Sequence, residues 1–147
     1  MKTRHITGTE WENYSPVRRK IVELYNESSD VHYEQPELDF EAIDDHSALH
    51  CFSIDGIGGG VLVEQLVGNE SCAIITFAAI EPLCRGKGVG SELVSLAEET
   101  LRNVGIRLIG VQMNAYDKPN FWYKFGFTEL VPFGNGVALI QASYFRT

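Results

Sequence analysis

The sequence predicts one mixed α/β domain, a mostly antiparallel sheet with helices packed against it. Three observations point there. An almost wholly apolar run, residues 72–80, leads into a glycine-rich loop and then into a helical pattern. Glycine-rich turns at 55–60 and 133–136 sit between strand-like runs and read as hairpins. And 147 residues, 44% of them hydrophobic, suit one domain with one sizeable core. We find no internal repeat, linker or low-complexity segment, so residues 1–147 are read as a single domain.

The elements follow in order. Residues 2–7 read as a first strand. Ser15-Pro16 has the form of a helix start, with Ser as N-cap and Pro at the first helical position. Val17, Ile21, Leu24 and Tyr25 then share one face of a helix ending near Asn26 or Glu27. Residues 38–43 fit a short second helix after Pro36. Residues 48–54 and 61–67 read as a hairpin, and Gly68-Asn69-Glu70 as the next turn. The run 72–80 reads as a central strand covered on both faces. Val89, Leu93, Leu96, Ala97, Leu101 and Val104 recur at helical spacing, and Gly105 is a natural stop. Residues 107–114 read as a strand and 119–125 as a short aromatic helix stopped by Gly126. Residues 127–131 and 137–144 close the sheet as a hairpin.

Charge narrows the function. The formal net charge is −8, which argues against nucleic acid as partner. No Lys or Arg occurs between Lys20 and Arg85, and that interval carries 13 of the 20 acidic residues. From Arg85 onward there are 7 cations and 5 anions. An acidic front and a mildly basic back suit a protein that binds something cationic in front and something anionic behind. Equally, the acids solvate an exposed helix and its loops. Apolar runs are too short to span a membrane, and the first residues lack the apolar core of a signal peptide. The expectation is a soluble cytoplasmic protein with no membrane partner. Cys51, Cys72 and Cys84 have neither disulfide-framework nor zinc spacing, and they read as apolar, buried or half-buried thiols. His32, His46 and His50 offer no metal-ligand spacing, so no metal is expected.

The most informative stretch is Arg85-Gly86-Lys87-Gly88-Val89-Gly90-Ser91 at the entrance of a helix. The first amides of a helix lack intrahelical partners, and the helix dipole adds partial positive charge. Glycines let backbone approach an anion closely, and two cations reinforce it. A pyrophosphate would use the whole loop. The P-loop pattern fails because no Ser or Thr follows the Gly-Lys pair. The dinucleotide fingerprint fails because the spacing is GxGxG, with no flanking parallel βαβ unit of the right length.

The loop matches the R/Q-x-x-G-x-G/A signature of the GNAT superfamily, the CoA-dependent N-acetyltransferases, and the chain resembles that family over essentially its whole length. Ala79-Ile80-Glu81-Pro82 is similar to the family's strand end, and Phe121-Trp122-Tyr123-Lys124-Phe125-Gly126-Phe127 resembles its FYxxxGF ending. The resemblance implies acetyl-CoA as co-substrate. Its pyrophosphate would lie on the amides of Arg85, Gly86, Lys87, Gly88, Val89, Gly90 and Ser91. Its pantetheine arm would run along the backbone near Ala79 and Ile80, in a wedge opened where this strand splays from residues 108–114. Asn114, at the end of that neighbour, joins the cofactor-binding set. A backbone N–H near Ile80 would stabilise the oxyanion, worth roughly 3 kcal/mol for a single donor.

The chemistry implied is direct attack of a neutral amine on the thioester. An alkyl amine has a pKa of about 10, so about one molecule in a thousand is free base at neutral pH. A base then helps. Glu81 is the nearest titratable side chain, either in that role or as a solvated strand-end carboxylate. The family usually protonates the leaving thiolate with a Tyr four residues before the motif glycine, and here that position is Trp122. An indole N–H donates a hydrogen bond but is no acid. Tyr123 lies one residue on, about 100° around a helix, and Tyr116 lies earlier. Either Trp122 shapes the pocket and the thiolate leaves unaided, or a tyrosine substitutes. Core packing is the alternative role of both Trp122 and Tyr123.

In the family the acceptor is selected by the first helices and the last hairpin. The acidic interval would attract a cationic small-molecule or peptidic amine, with Glu34 and Glu37 as substrate-binding candidates alongside Asp39 and Glu41. Two other readings stay open: a CoA-binding regulatory module that has lost catalysis, and an unrelated phosphate binder. The assembly is read as a monomer or a homodimer.

Overall fold

The computed structural model describes residues 2–28, 46–66, 69–113, 120–133 and 136–141. They build one seven-stranded sheet in the order β1-β2-β3-β4-β5-β7-β6. The strands are β1 (Thr3–Thr7), β2 (Leu49–Ile54), β3 (Gly59–Leu66), β4 (Asn69–Ile80), β5 (Leu108–Met113), β6 (Phe127–Phe133) and β7 (Gly136–Gln141). Every neighbouring pair is antiparallel except β4 and β5, which are parallel.

Alternation along the strands sends side chains to two covered faces. Helix α1 (Trp11–Ser28) lies on one. There Tyr14, Ile21 and Val22 pack on Ile6, Cys51 and Leu62. Helix α2 (Val89–Asn103) lies on the other, where Leu93, Val94, Ala97 and Leu101 meet Phe52, Val61, Val63 and Ala73. Leu93 and Leu101 are almost fully buried. Each contributes roughly 1.5–3 kcal/mol of burial. A short helix α3 (Asn120–Tyr123) sits between β5 and β6.

Two expectations are corrected. Helix α1 begins at Trp11, four residues before Ser15, and Pro16 lies inside it. The amides of Asn13 and Tyr14 both donate to the Glu10 carbonyl at 2.9 Å, which starts the helix a turn early. Pro16 forfeits its own bond to the preceding turn, and its ring crowds the carbonyl four residues back. Tyr14 and Trp11 continue the apolar stripe of Val17 at i−3 spacing, and burying Tyr14 holds that extra turn. Asn69 and Glu70 belong to β4 rather than to a turn. A parallel strand–helix–strand unit is present, β4–α2–β5, but it runs over residues 69–113, longer than the roughly 30-residue unit of the dinucleotide fingerprint. The expected helix over 38–43 lies outside the described residues. So does the distal part of the closing strand expected over 137–144.

Candidate functional site

The site begins at a defect in the sheet. Strands β4 and β5 pair from Cys72↔Leu108 to Ile75↔Val111, and there the ladder ends. β4 continues to Ile80, still paired with β3 through Ala78↔Val61, Ala79↔Gly60 and Ile80↔Gly59. The register jumps between Phe77↔Leu62 and Ile75↔Val63, which leaves Thr76 as the extra residue of a bulge. A bulge bends its strand and increases local twist. Bending β4 at Thr76, where pairing to β5 stops, opens the wedge. This also explains why Cys72 to Ile75 are buried while Phe77 to Ile80 are only half-buried.

Backbone polarity along the free edge follows from alternation. The Glu81 N–H donates to the Gly58 carbonyl on the β3 side, at 2.9 Å. Residues 79 and 81 therefore turn their backbone groups to β3, and residues 78 and 80 turn theirs to the open edge. Arg85 Nε donates to the Ile80 carbonyl at 2.9 Å. The Ile80 N–H and both groups of Ala78 remain on that edge.

The loop closes the wedge at its head. Pro82–Cys84 makes one 3₁₀ turn, and Gly88 caps α2 with φ 79°. Gly86 has φ 77°. Both values lie in the left-handed region that glycine alone enters freely. A Cβ at either position would meet open space, so the loop needs glycine for its backbone path and not for packing. The first intrahelical bond runs from the Glu92 N–H to the Gly88 carbonyl at 3.0 Å. The amides of Val89, Gly90 and Ser91 thus have no partner one turn back.

A cleft of about 540 Å³ runs between these parts. Ala78, Ala79 and Ile80 form one side, and Arg85, Gly86, Gly88, Val89, Gly90 and Ser91 form the head. Of the residues expected at the cofactor, Lys87 alone among those described stands off the lining, and Asn114 lies outside the described residues. Trp122 is on the opposite wall, buried and held edge-on by Phe121 at 4.9 Å and Phe127 at 6.0 Å between ring centroids.

The other two residues read as catalytic sit elsewhere. Tyr123 is 46% exposed and does not line the cleft. Glu81 is also off the lining. Its carboxylate accepts the Cys84 thiol at 3.0 Å, and this bond, with a second from the Gly58 backbone, holds its pKa below the usual carboxylate value. A lowered pKa makes Glu81 a weaker base. Glu34, Glu37, Asp39 and Glu41 lie outside the described residues, as does Tyr116.

Sequence reasoning missed three features. Lys124 and Phe121 line the cleft, and their i, i+3 spacing in an aromatic helix was the available signal. His50 is buried on β2, where its Nδ1 lies 2.8 Å from His5 Nε2 and its Nε2 lies 2.8 Å from Gln65 Oε1. Gln141, at the end of β7, is buried and donates to Glu98 at 2.8 Å and to the Phe125 carbonyl at 3.0 Å. Arg102 donates to its amide oxygen. This network ties α2 and β7 to the turn that follows Trp122. Cys51 and Cys72 are buried, Cys84 is half-buried, and all three are free. Among the described residues no group of three His, Cys, Asp or Glu could hold a metal, and no helix is long and apolar enough to cross a membrane.

Residues 16–127 match the model of the acetyltransferase (GNAT) family, and the chain belongs to that family. It is an acyl-CoA-dependent N-acetyltransferase by class. Searching curated proteins returns no match. Solved structures share the fold at low identity. An aminoglycoside acetyltransferase from an uncultured soil metagenomic sample, in complex with sisomicin, is 15% identical with TM-score 0.61, covering 90% of this chain and 93% of its own. The PaiA N-acetyltransferase of Thermoplasma acidophilum, in complex with coenzyme A, is 15% identical with TM-score 0.63, covering 96% and 99%. The NatC complex bound to a Gag peptide and CoA contains a chain 14% identical with TM-score 0.62, covering 95% and 96%.

Proposed function

We propose that this chain, as one catalytic domain, transfers the acetyl group of acetyl-CoA to a primary amine by direct attack on the thioester. The acceptor is a cationic small molecule or a lysine or N-terminal amine. The observation that carries the reading is the end of β4–β5 pairing at Ile75↔Val111, which opens a cleft onto a glycine-lined helix N-terminus.

In this reading the amides of residues 86–91 receive the pyrophosphate, and Arg85 braces the end of β4 through the Ile80 carbonyl. The pantetheine arm extends the sheet along the free edge of β4. The N–H groups of Ala78 and Ile80 are the donors on that edge, and one of them polarises the thioester carbonyl. Trp122 forms the wall against which the thioester sits. Tyr123 is exposed and off the lining, so in this reading it is not the acid and the thiolate leaves unaided. Glu81, held as a carboxylate by Cys84, contributes charge near the entrance, and water takes the amine proton. The relatives solved with sisomicin and with a peptide support an amine acceptor. The 13 acids between Lys20 and Arg85, Glu34 and Glu37 among them, favour a cationic one.

The test is thiol release from acetyl-CoA with a panel of polyamines, aminoglycosides and lysine peptides. Amine-dependent release with a matching acetylated product supports the reading. Tight acetyl-CoA binding without turnover on any amine supports instead a CoA-binding module that has lost catalysis.

A further inference from the structure

Lys124 has no role in the account so far, yet it lines the cleft. Its Nζ stands 4.6 Å from the Phe121 ring centroid and 5.4 Å from that of Phe125. Phe121 in turn abuts the first turn of α2, since a Cβ on Gly90 would meet its ring at 3.5 Å. The ammonium therefore rests on an aromatic perch beside the anion-receiving end of α2. Among the described residues no carboxylate pairs with it, the one ion pair there being Arg4–Asp55. The loop's own cations are less available to the cleft. Arg85 is engaged with the Ile80 carbonyl, and Lys87 stands off the lining.

We propose that Lys124 is a phosphate latch, which leaves its perch on Phe121 and grips a phosphate group of acetyl-CoA from the wall facing the glycine loop. The inference rests on the acetyl-CoA reading of the cleft. A cation over an aromatic face is held weakly, whereas an ammonium on a phosphate forms a charge-assisted hydrogen bond of about twice the usual strength. Exchange of the first contact for the second is therefore favourable once the nucleotide arrives. It places one full charge where the loop supplies mainly partial charges from amides. The ligand chemistry is a phosphate anion, carried either by the diphosphate or by the 3′-phosphate of the nucleotide.

The experiment is calorimetric titration of acetyl-CoA and of 3′-dephospho-acetyl-CoA into wild type, Lys124→Met and Lys124→Arg, at about 0.05 M and about 0.5 M salt. Lys124 is exposed, so both variants should melt like wild type. Lys124→Met is expected to weaken acetyl-CoA binding about tenfold or more at low salt, with a smaller gap at high salt. Lys124→Arg should stay within about threefold. A loss seen only with acetyl-CoA assigns the 3′-phosphate; a loss with both ligands assigns the diphosphate. Lys124→Met binding acetyl-CoA within twofold of wild type at low salt overturns the latch while leaving the acetyl-CoA reading intact. Wild type binding neither ligand overturns that reading, and the latch with it.

Discussion

Replacing Gly88 by alanine separates backbone geometry from bulk. Gly88 has φ 79° and a Cβ there would touch nothing, so the substitution adds strain and no clash. Holding a non-glycine residue in the left-handed region costs roughly 1–2 kcal/mol. Where that cost shows depends on what anchors the loop. The helix holds the Gly88 carbonyl through the Glu92 N–H, but among the described residues no hydrogen bond holds the amides of Gly86, Lys87 or Gly88, so the alanine loop relaxes on the N-terminal side of position 88 in the free protein. The strain then returns when a pyrophosphate demands the native path. Acetyl-CoA affinity should fall about 5- to 30-fold with little change in melting temperature. Gly105→Ala is the matched control. Gly105 has φ 95° and equally open space, but its amide donates to the Arg102 carbonyl at 3.1 Å and buried Ile106 follows it. Its backbone is fixed, so the same strain should lower the melting temperature by roughly 2–8 °C and leave affinity unchanged. Titration calorimetry and thermal melts of both variants decide. Gly88→Ala binding like wild type, or losing stability as Gly105→Ala does while keeping its affinity, would refute the reasoning.

Three further outcomes are expected. Gln141→Met leaves the Glu98 carboxylate and the Phe125 carbonyl without their buried donor, at roughly 2–4 kcal/mol, and a melt should show a drop of roughly 5–15 °C. Tyr123→Phe should leave kcat within about twofold across pH 7–9, because the phenol is off the cleft; a tenfold loss would make it the acid after all. Burial lowers the pKa of both His5 and His50 from 6.5, with further lowering of His5 by its neighbour His50 and an opposing pull from Glu10. The unfolded chain then takes up protons below about pH 6.5 before the folded one does, so stability should be lost as pH falls from 6.5. Denaturant titrations at several pH values should give a shallower slope for His50→Gln over that window.

The loop and the strand that feeds it were legible because their demands are local. Left-handed glycines, a helix N-terminus and an apolar central strand all write themselves into adjacent residues. The early start of α1 was not read, because Ser15-Pro16 satisfies every local rule for a helix start. What overrides it is tertiary: Tyr14 is worth more buried under the sheet than the Pro16 bond is worth made. The splay itself has no sequence signature, since a bulge at Thr76 is a property of two strands in register. The Gln141 and His50 networks were invisible for the same reason, each joining residues from three parts of the chain. The motif's Trp122 was read from the sequence, but that Tyr123 turns off the cleft needed the fold.

The most direct test of the account is amide hydrogen exchange of wild type with and without acetyl-CoA. The account predicts new protection at Ala78 and Ile80 on the free edge of β4 and at residues 86–91, with Cys72 to Ile75 unchanged because β5 already pairs them. Protection confined to other strands, or none at saturating acetyl-CoA, would contradict the placement of the cofactor in the β4–β5 wedge.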